Sequence, residues 1–297
     1  MRTTAVDELP SATHYRTVTV DGLDIFYREA GPADAPTILL LHGIPTSSHM
    51  FRDLIPLLAD RYHLIAPDYP GFGNSSAPNV RVFDYTFDHL TDVIEAFTDV
   101  IGLESYSLYV QDFGGPVGFR LATRRADRVR ALIVQNANAY AQGVSDELRA
   151  VLLRLHNERT PEMRTKAGEL FELPYTRKQY LDGVADPSLV SPDAWQHAQW
   201  GMDRPGNKDI QYALHADYAS NFDRYEEWHA YFRQYQPPTL VVWGEGDFVF
   251  GVPGAEGYRQ DLKQIELHIL KAGHFALETS GREIAWHISD FLGRHGS

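Results

Sequence analysis

No cysteine occurs in the 297 residues, so a disulfide framework, a thiolate zinc site and a thiol nucleophile are all excluded. Basic residues are in deficit: 27 Lys and Arg stand against 40 Asp and Glu, a formal charge of −13, with no basic cluster. A nucleic-acid partner is thereby excluded, because neutralising phosphates requires a concentrated excess of cations. No run approaches the roughly 18 apolar residues of a membrane span, so no membrane partner is expected. The 13 histidines show no H-x-H or H-E-x-x-H spacing, and neither a metal nor a cofactor is expected. G-x-S-x-G is also missing, which leaves the familiar serine elbow without its nucleophile. Met1 to Pro10 carries acids and no apolar core, so no signal peptide is predicted. The expectation is a cytoplasmic protein whose partners are a small-molecule substrate and water, with a homodimer left open.

What is present is ordinary globular composition, 43% hydrophobic and 23% charged, ample for a sizeable core. Strand and helix signals alternate through the first third. His14 to Val20 and Leu23 to Glu29 read as strands joined at the turn dipeptide Asp21-Gly22. Thr37 to Leu41 is continuously apolar, as a strand buried on both faces should be. An amphipathic helix is predicted over Ser48 to Leu58, a strand over Tyr62 to Ala66 and a long helix over Phe87 to Ile101. Further strands are read at Ser105 to Val110, Ala131 to Gln135, Thr239 to Trp243 and Glu266 to Leu270, with a last helix near Glu283 to Leu292. Between residues 138 and 221 the strand signal vanishes in favour of proline-broken helices rich in aromatics. The predicted class is therefore α/β: an eight-stranded, mostly parallel sheet with helices on both faces and a helical cap inserted after the sixth strand. Residues 1–137 and 222–297 form the expected core domain and 138–221 the cap.

Four features converge on one site. Val110-Gln111-Asp112-Phe113-Gly114-Gly115 sets a carboxylate on a sharp strand-to-helix turn, with glycines to relieve crowding. His42-Gly43-Ile44-Pro45 follows a buried strand, where the Ile44 N–H can complete an oxyanion hole with that of Phe113. Asp247 lies just beyond a later strand and His274 just beyond the last. The order nucleophile, acid, histidine is the order the α/β-hydrolase elbow uses. Taken singly, each residue has a plainer reading. Asp112 could cap a helix, Asp247 could belong to a Gly-Asp turn beside Glu245, and His274 could be a loop histidine. The other position for an acid, after Gln135, holds Asn136 and Asn138.

From about Tyr15 onward the chain resembles the aspartate-nucleophile branch of the α/β-hydrolases, which holds epoxide hydrolases, haloalkane dehalogenases and fluoroacetate dehalogenases. His42-Gly43-Ile44-Pro45 is similar to the HGxP motif of epoxide hydrolases, and Pro45-Thr46-Ser47-Ser48 resembles the haloalkane dehalogenases. The resemblance implies a covalent alkyl ester on Asp112, freed by water that His274 activates, with Asp247 orienting the imidazole. His42 and Pro45 are carried as substrate-lining candidates, although His42 reads more readily as a structural loop residue than as a proton carrier.

The same resemblance frames the substrate. Epoxide hydrolases use two cap tyrosines as donors to the ring oxygen, and Tyr218 stands where one of them is expected. The second is expected near Leu153 to Arg164, which holds no tyrosine; Tyr140, Tyr175 and His156 are its candidate substitutes, and Tyr175 is carried as substrate-binding. Haloalkane dehalogenases place side-chain donors where this chain has Phe113 and Ile44, which cannot donate. Fluoroacetate dehalogenases place arginines where it has Gly115 and Pro116, with Arg120 further on. The expectation is an epoxide hydrolase-like enzyme on a small neutral substrate, with haloalkane or haloacid dehalogenase as the near alternative. An ester or lactone hydrolase using Asp112 as general base, and a non-catalytic small-molecule receptor, are the readings of other kinds.

Overall fold

A computed structural model describes residues 12–158 and 160–295, so the leader reading of Met1 to Pro10 falls outside the described residues. The strands are β1 (His14–Val20), β2 (Leu23–Ala30), β3 (Thr37–Leu41), β4 (His63–Pro67), β5 (Tyr106–Gln111), β6 (Val129–Gln135), β7 (Thr239–Gly244) and β8 (Ile265–Leu270). They form one eight-stranded sheet in the order β1-β2-β4-β3-β5-β6-β7-β8. Strand β2 is antiparallel to both neighbours and every other pairing is parallel. Asp21 and Gly22, at φ 48° and 81°, give the hairpin its left-handed corner. The central strands β4, β5 and β7 are buried along their whole length, which is why their sequences are continuous apolar runs rather than alternating ones.

The helix predicted over Ser48 to Leu58 breaks in two, a single 3₁₀ turn at Ser48–Phe51 and the four-residue α1 (Ile55–Leu58). Pro56 explains the break. It has no N–H to give and its ring clashes with the carbonyl four residues back, so a helix cannot run through it but can start beside it. Helix α2 (Phe87–Val100) is capped by Thr86, whose side chain accepts from the His89 N–H at 3.1 Å, and it buries Phe87, Leu90, Ile94 and Phe97. Helix α3 (Gly114–Arg124) follows β5 directly.

Between β6 and β7 the chain runs through α4 (Asp146–Glu158), α5 (Pro161–Gly168), α6 (Leu173–Leu181), α7 (Pro192–Met202), α8 (Asn207–Asp217) and α9 (Tyr225–Tyr235). The last of these belongs with the sheet layer, because Trp228 and Phe232 pack on Phe119 of α3. The others form the cap. It is tied to the loop after β4 by Arg204, which donates to the Gly73 carbonyl at 2.7 Å, and by Asn207, which donates to that of Gly71 at 2.6 Å. After β7 come α10 (Val252–Gly257) and α11 (Leu277–His295). Among the described residues no helix is long and apolar enough to cross a membrane.

Candidate active site

Strand β5 delivers Asp112 in the left-handed region, at φ 49°, a conformation a non-glycine residue holds only when its surroundings impose it. Two glycines make the turn fit. A Cβ on Gly114 would strike the Leu41 carbonyl, and one on Gly43 would strike the Asp112 side chain. Gly118 is needed as well, since a Cβ there would run into Val110. Gly115, expected to relieve the elbow, is less constrained: its Cβ would sit 3.1 Å from that of Ala137. Asp112 does not cap α3, whose N-cap position is Phe113 and which has no side-chain cap bond.

The two carboxylate oxygens of Asp112 have different surroundings. The Ile44 N–H donates to Oδ1 at 2.8 Å, and the Phe113 amide also donates to this carboxylate. Oδ2 faces His274 Nε2 at 3.6 Å. On the far side of the imidazole, Nδ1 lies 2.9 Å from Asp247 Oδ2. Asp247 is itself fixed: Oδ1 accepts from the Val249 and Phe250 amides at 2.7 and 3.1 Å, and Oδ2 accepts from Asn136 Nδ2 at 2.8 Å. Asn136, set aside in the sequence as a non-acid, thus anchors the acid. Its Oδ1 also accepts from the Gly244 N–H at 3.1 Å, so it pins Asp247 to the end of β7. A second unforeseen neighbour is Gln111, fully buried, with Nε2 3.2 Å from His274 Nε2.

Burial raises the Asp112 carboxyl above the ordinary carboxylate value, while His274 and the Ile44 and Phe113 amides oppose the rise. For His274 burial acts downward, but Asp247 and Asp112 outweigh it and hold the imidazole above its ordinary value. Asp112 opens onto a cavity of about 70 Å³ whose other wall comes from the cap, including Leu152, Leu155, Tyr175, Gln179, His215 and Tyr218. A chamber of about 340 Å³ adjoins it, sharing Val151, Leu155, Leu170 and Tyr175. Burial and the charge of Asp112 both raise the Tyr175 hydroxyl, and burial, Tyr225 and Asp112 raise that of Tyr218. Both phenols are thus neutral donors near neutral pH.

The structure therefore brings together Asp112, His274, Asp247, Ile44, Phe113, Tyr175 and Tyr218. It does not bring His42 or Pro45 to this cavity. His42 is fully buried, with Nδ1 2.9 Å from the Gly43 carbonyl and Nε2 accepting from the Tyr69 N–H at 3.4 Å, and burial lowers its pKa to about 3. Pro45 lines a separate small crevice with Thr46, Ser47 and His197. Of the substitutes for an early cap tyrosine, Tyr140 donates to Asp261 at 2.8 Å and His156 lies 2.8 Å from the Ala216 carbonyl, which leaves Tyr175 at the cavity. Arg120 is committed to Asp88 at 2.7 Å, Asn221 at 2.7 Å and the Pro116 carbonyl at 3.2 Å. Among the described residues no group of three or more His, Cys, Asp or Glu could hold a metal.

The sequence profile of the α/β hydrolase fold matches residues 36–280. The chain is 40% identical over 271 residues to an uncharacterised hydrolase of Saccharomyces cerevisiae, covering 90% of this chain and 93% of that protein. It is 30% identical over 315 aligned residues to a haloalkane dehalogenase of Mycobacterium marinum, covering 94% and 93% of the two. The solved structure of the epoxide hydrolase CorEH superposes with a TM-score of 0.78 at 19% identity, covering 95% of this chain and 99% of that one, a likeness of fold.

Proposed function

The chain belongs to the α/β-hydrolase fold family and is similar along nearly its whole length to a haloalkane dehalogenase, and on that premise we propose that it hydrolyses a small neutral epoxide through an alkyl ester on Asp112. The observation that carries the reading is the division of labour between the two oxygens of Asp112. Oδ2, which faces His274, attacks a ring carbon and forms a C–O bond as the ring C–O bond breaks. Tyr175 and Tyr218 donate to the departing oxygen, which leaves as a hydroxyl of the same molecule. Oδ1 becomes the ester carbonyl oxygen without moving, already held by the Ile44 amide.

Water then attacks that ester carbon while His274 takes its proton, and Asp247 stabilises the imidazolium that results. The negative charge of the tetrahedral intermediate falls on Oδ1, where the Ile44 N–H is already in place and the Phe113 amide adds support to the same carboxylate. Collapse breaks the ester C–O bond, returns the Asp112 carboxylate and passes the attacking oxygen's remaining proton to the departing alkoxide, while the proton on His274 returns through solvent to the phenol that protonated the ring oxygen. A general-base role for Asp112 suits this arrangement less well, because the Ile44 and Phe113 amides that act on the carboxylate make it a weaker base.

The epoxide reading rests on two phenol hydroxyls at one carboxylate. The alternative is carbon–halogen cleavage, favoured by the likeness to the Mycobacterium marinum haloalkane dehalogenase; the same hydroxyls would then hold halide. His274→Gln separates the readings, because it should form the ester and fail to release it. Intact mass after incubation with an epoxide should rise by the mass of the whole epoxide, located to Asp112 by peptide mapping. A haloalkane would add only its alkyl group. No adduct with either, in a folded variant whose parent cleaves an ester, would move Asp112 to the general-base role. Binding without adduct or turnover would make the protein a receptor.

A further inference from the structure

The cap wall of the cavity carries an acceptor as well as donors, and the acceptor is a histidine the reaction does not use. His215 Nδ1 lies 2.8 Å from the carbonyl of Gln211, one turn back along α8. A carbonyl can only accept, so Nδ1 bears the ring hydrogen; a neutral imidazole has one such hydrogen, and Nε2 is left with its lone pair. The ring lies 5.5 Å from that of Phe113 and 5.0 Å from that of Phe171, among apolar neighbours, and it lines the cavity. Burial lowers its pKa to about 4, so the lone pair stays free at neutral pH. Three residues on, Tyr218 presents a hydroxyl to the same cavity, and positions three apart share one face of a helical segment.

We propose that His215 Nε2 is a specificity determinant that receives a hydroxyl beside the reacting carbon, so that the preferred substrates are small epoxy alcohols rather than plain alkene oxides. This deepens the epoxide reading and rests on it. An epoxy alcohol offers an acceptor, its ring oxygen, to Tyr175 and Tyr218, and a donor to His215. A plain alkene oxide leaves a half-buried lone pair without a partner, which is the larger source of discrimination at such a site. Gln179 is a second cavity-lining side chain, outside the groups assigned to the reaction, that can accept, and it serves as the control.

The test compares glycidol with butylene oxide, in which a methyl replaces the hydroxyl at nearly equal volume. The parent enzyme should favour glycidol in kcat/KM by about tenfold or more. His215→Phe should bring the ratio close to one, His215→Gln should restore part of it through its amide oxygen, and Gln179→Leu should leave it in place. A parent ratio near one, or a ratio that survives His215→Phe, overturns the proposal while the ester mechanism stands. Cyclopropylmethanol and ethylcyclopropane make the same comparison with no bond for Asp112 to break. In ligand-observed NMR the alcohol should bind better to the parent and lose that advantage in His215→Phe. If that holds while no epoxide is turned over, the hydroxyl site stands and the epoxide reading fails.

Discussion

The sheet and the cap build opposite walls of one cavity by different means. On the sheet wall almost every polar atom is already engaged. Asp112 Oδ1 takes the Ile44 amide, Asp247 takes the Val249 and Phe250 amides and Asn136, and His274 sits between the two acids. On the cap wall, Tyr175, Tyr218 and His215 line the cavity, and the two hydroxyls and His215 Nε2 have no protein hydrogen-bond partner among the described residues. The difference has a physical sense. Groups that meet charge on the protein's own atoms, at Asp112 and His274, are fixed in advance, so that no reorganisation is needed there during reaction. Groups that must recognise a substrate keep their bonding capacity for it. On the proposed mechanism the sheet wall supplies the nucleophile and the ester-cleaving groups, and the cap wall supplies the leaving-group donors and the contacts that select the substrate.

The sharpest way to break that division is at the nucleophile. Asp112→Asn should lower turnover by at least ~10⁴-fold on every substrate class alike. The fold should survive, because asparagine tolerates a positive φ and keeps an oxygen for the Ile44 and Phe113 amides. Circular dichroism and Tm close to the parent, with activity gone, would place the loss in the chemistry. Activity that persists with a folded protein would remove Asp112 from the nucleophile position.

On the cap wall, Tyr218→Phe and Tyr175→Phe should each slow ester formation by about 10²–10³-fold, the usual cost of losing one oxyanion donor. Release of the ester should hardly change, since that step uses only sheet residues. Rapid-mixing kinetics with adduct mass as the readout would separate the two steps. Equal slowing of both would show that the walls are not independent.

The sheet wall was also the legible one. Its motifs are local: a buried strand ending in Asp-Phe-Gly-Gly, a Gly-Glu-Gly-Asp turn and a Gly-His step, each adjacent in sequence to the strand that positions it. What escaped notice there depends on contacts between distant segments. Gly43 and Gly118 matter because of what their absent Cβ atoms would strike, and Asn136 matters because β6 lies beside β7. The cap wall was harder because its helices are placed by packing, not by strand order. The second hydroxyl comes from Tyr175, about a dozen residues past the expected stretch, and neither periodicity nor spacing marks His215. At the C-terminus, α11 starts at Leu277, six residues before the predicted helix, because Ser280 interrupts it with a non-helical φ of −118° and Gly281 weakens its signal.

A smaller effect distinguishes the two chemical steps by pH. Asp112 must be ionised to attack, so ester formation rises with pH through a value raised above the ordinary carboxylate range. His274 must be neutral to take a proton from water, so release rises through a value above that of an ordinary histidine. Esterification removes the charge of Asp112 and relaxes part of that second rise, but Asp247 remains at 2.9 Å. As pH falls through the raised His274 value release slows, and the parent enzyme should accumulate adduct wherever Asp112 is still ionised. Adduct that stays constant across that range would count against His274 as the base.

The smallest contrast is one of packing, at two helical glycines. Gly118 of α3 faces β5, where a Cβ would collide with Val110 and press on Leu108 and Leu41, all of them fully buried. Gly118→Ala should therefore cost about 1–3 kcal/mol as overpacking against strands that cannot retreat. Gly168, at the end of α5 in the cap, has helical φ and ψ of −56° and −30°, and a Cβ there would meet nothing within 4 Å. Gly168→Ala should gain about 0.4–1 kcal/mol, since alanine narrows the unfolded ensemble without strain in the folded one. Opposite shifts in Tm, down for the first and up for the second, should accompany a loss of activity in the first and none in the second. Pushing α3 away from β5 displaces the Phe113 amide from Asp112, whereas a Cβ on Gly168 enters open space and pushes on nothing. A Gly118→Ala variant with unchanged Tm would mean that the sheet wall yields as readily as the cap, and the contrast between a rigid and an adaptable wall would fail at its foundation.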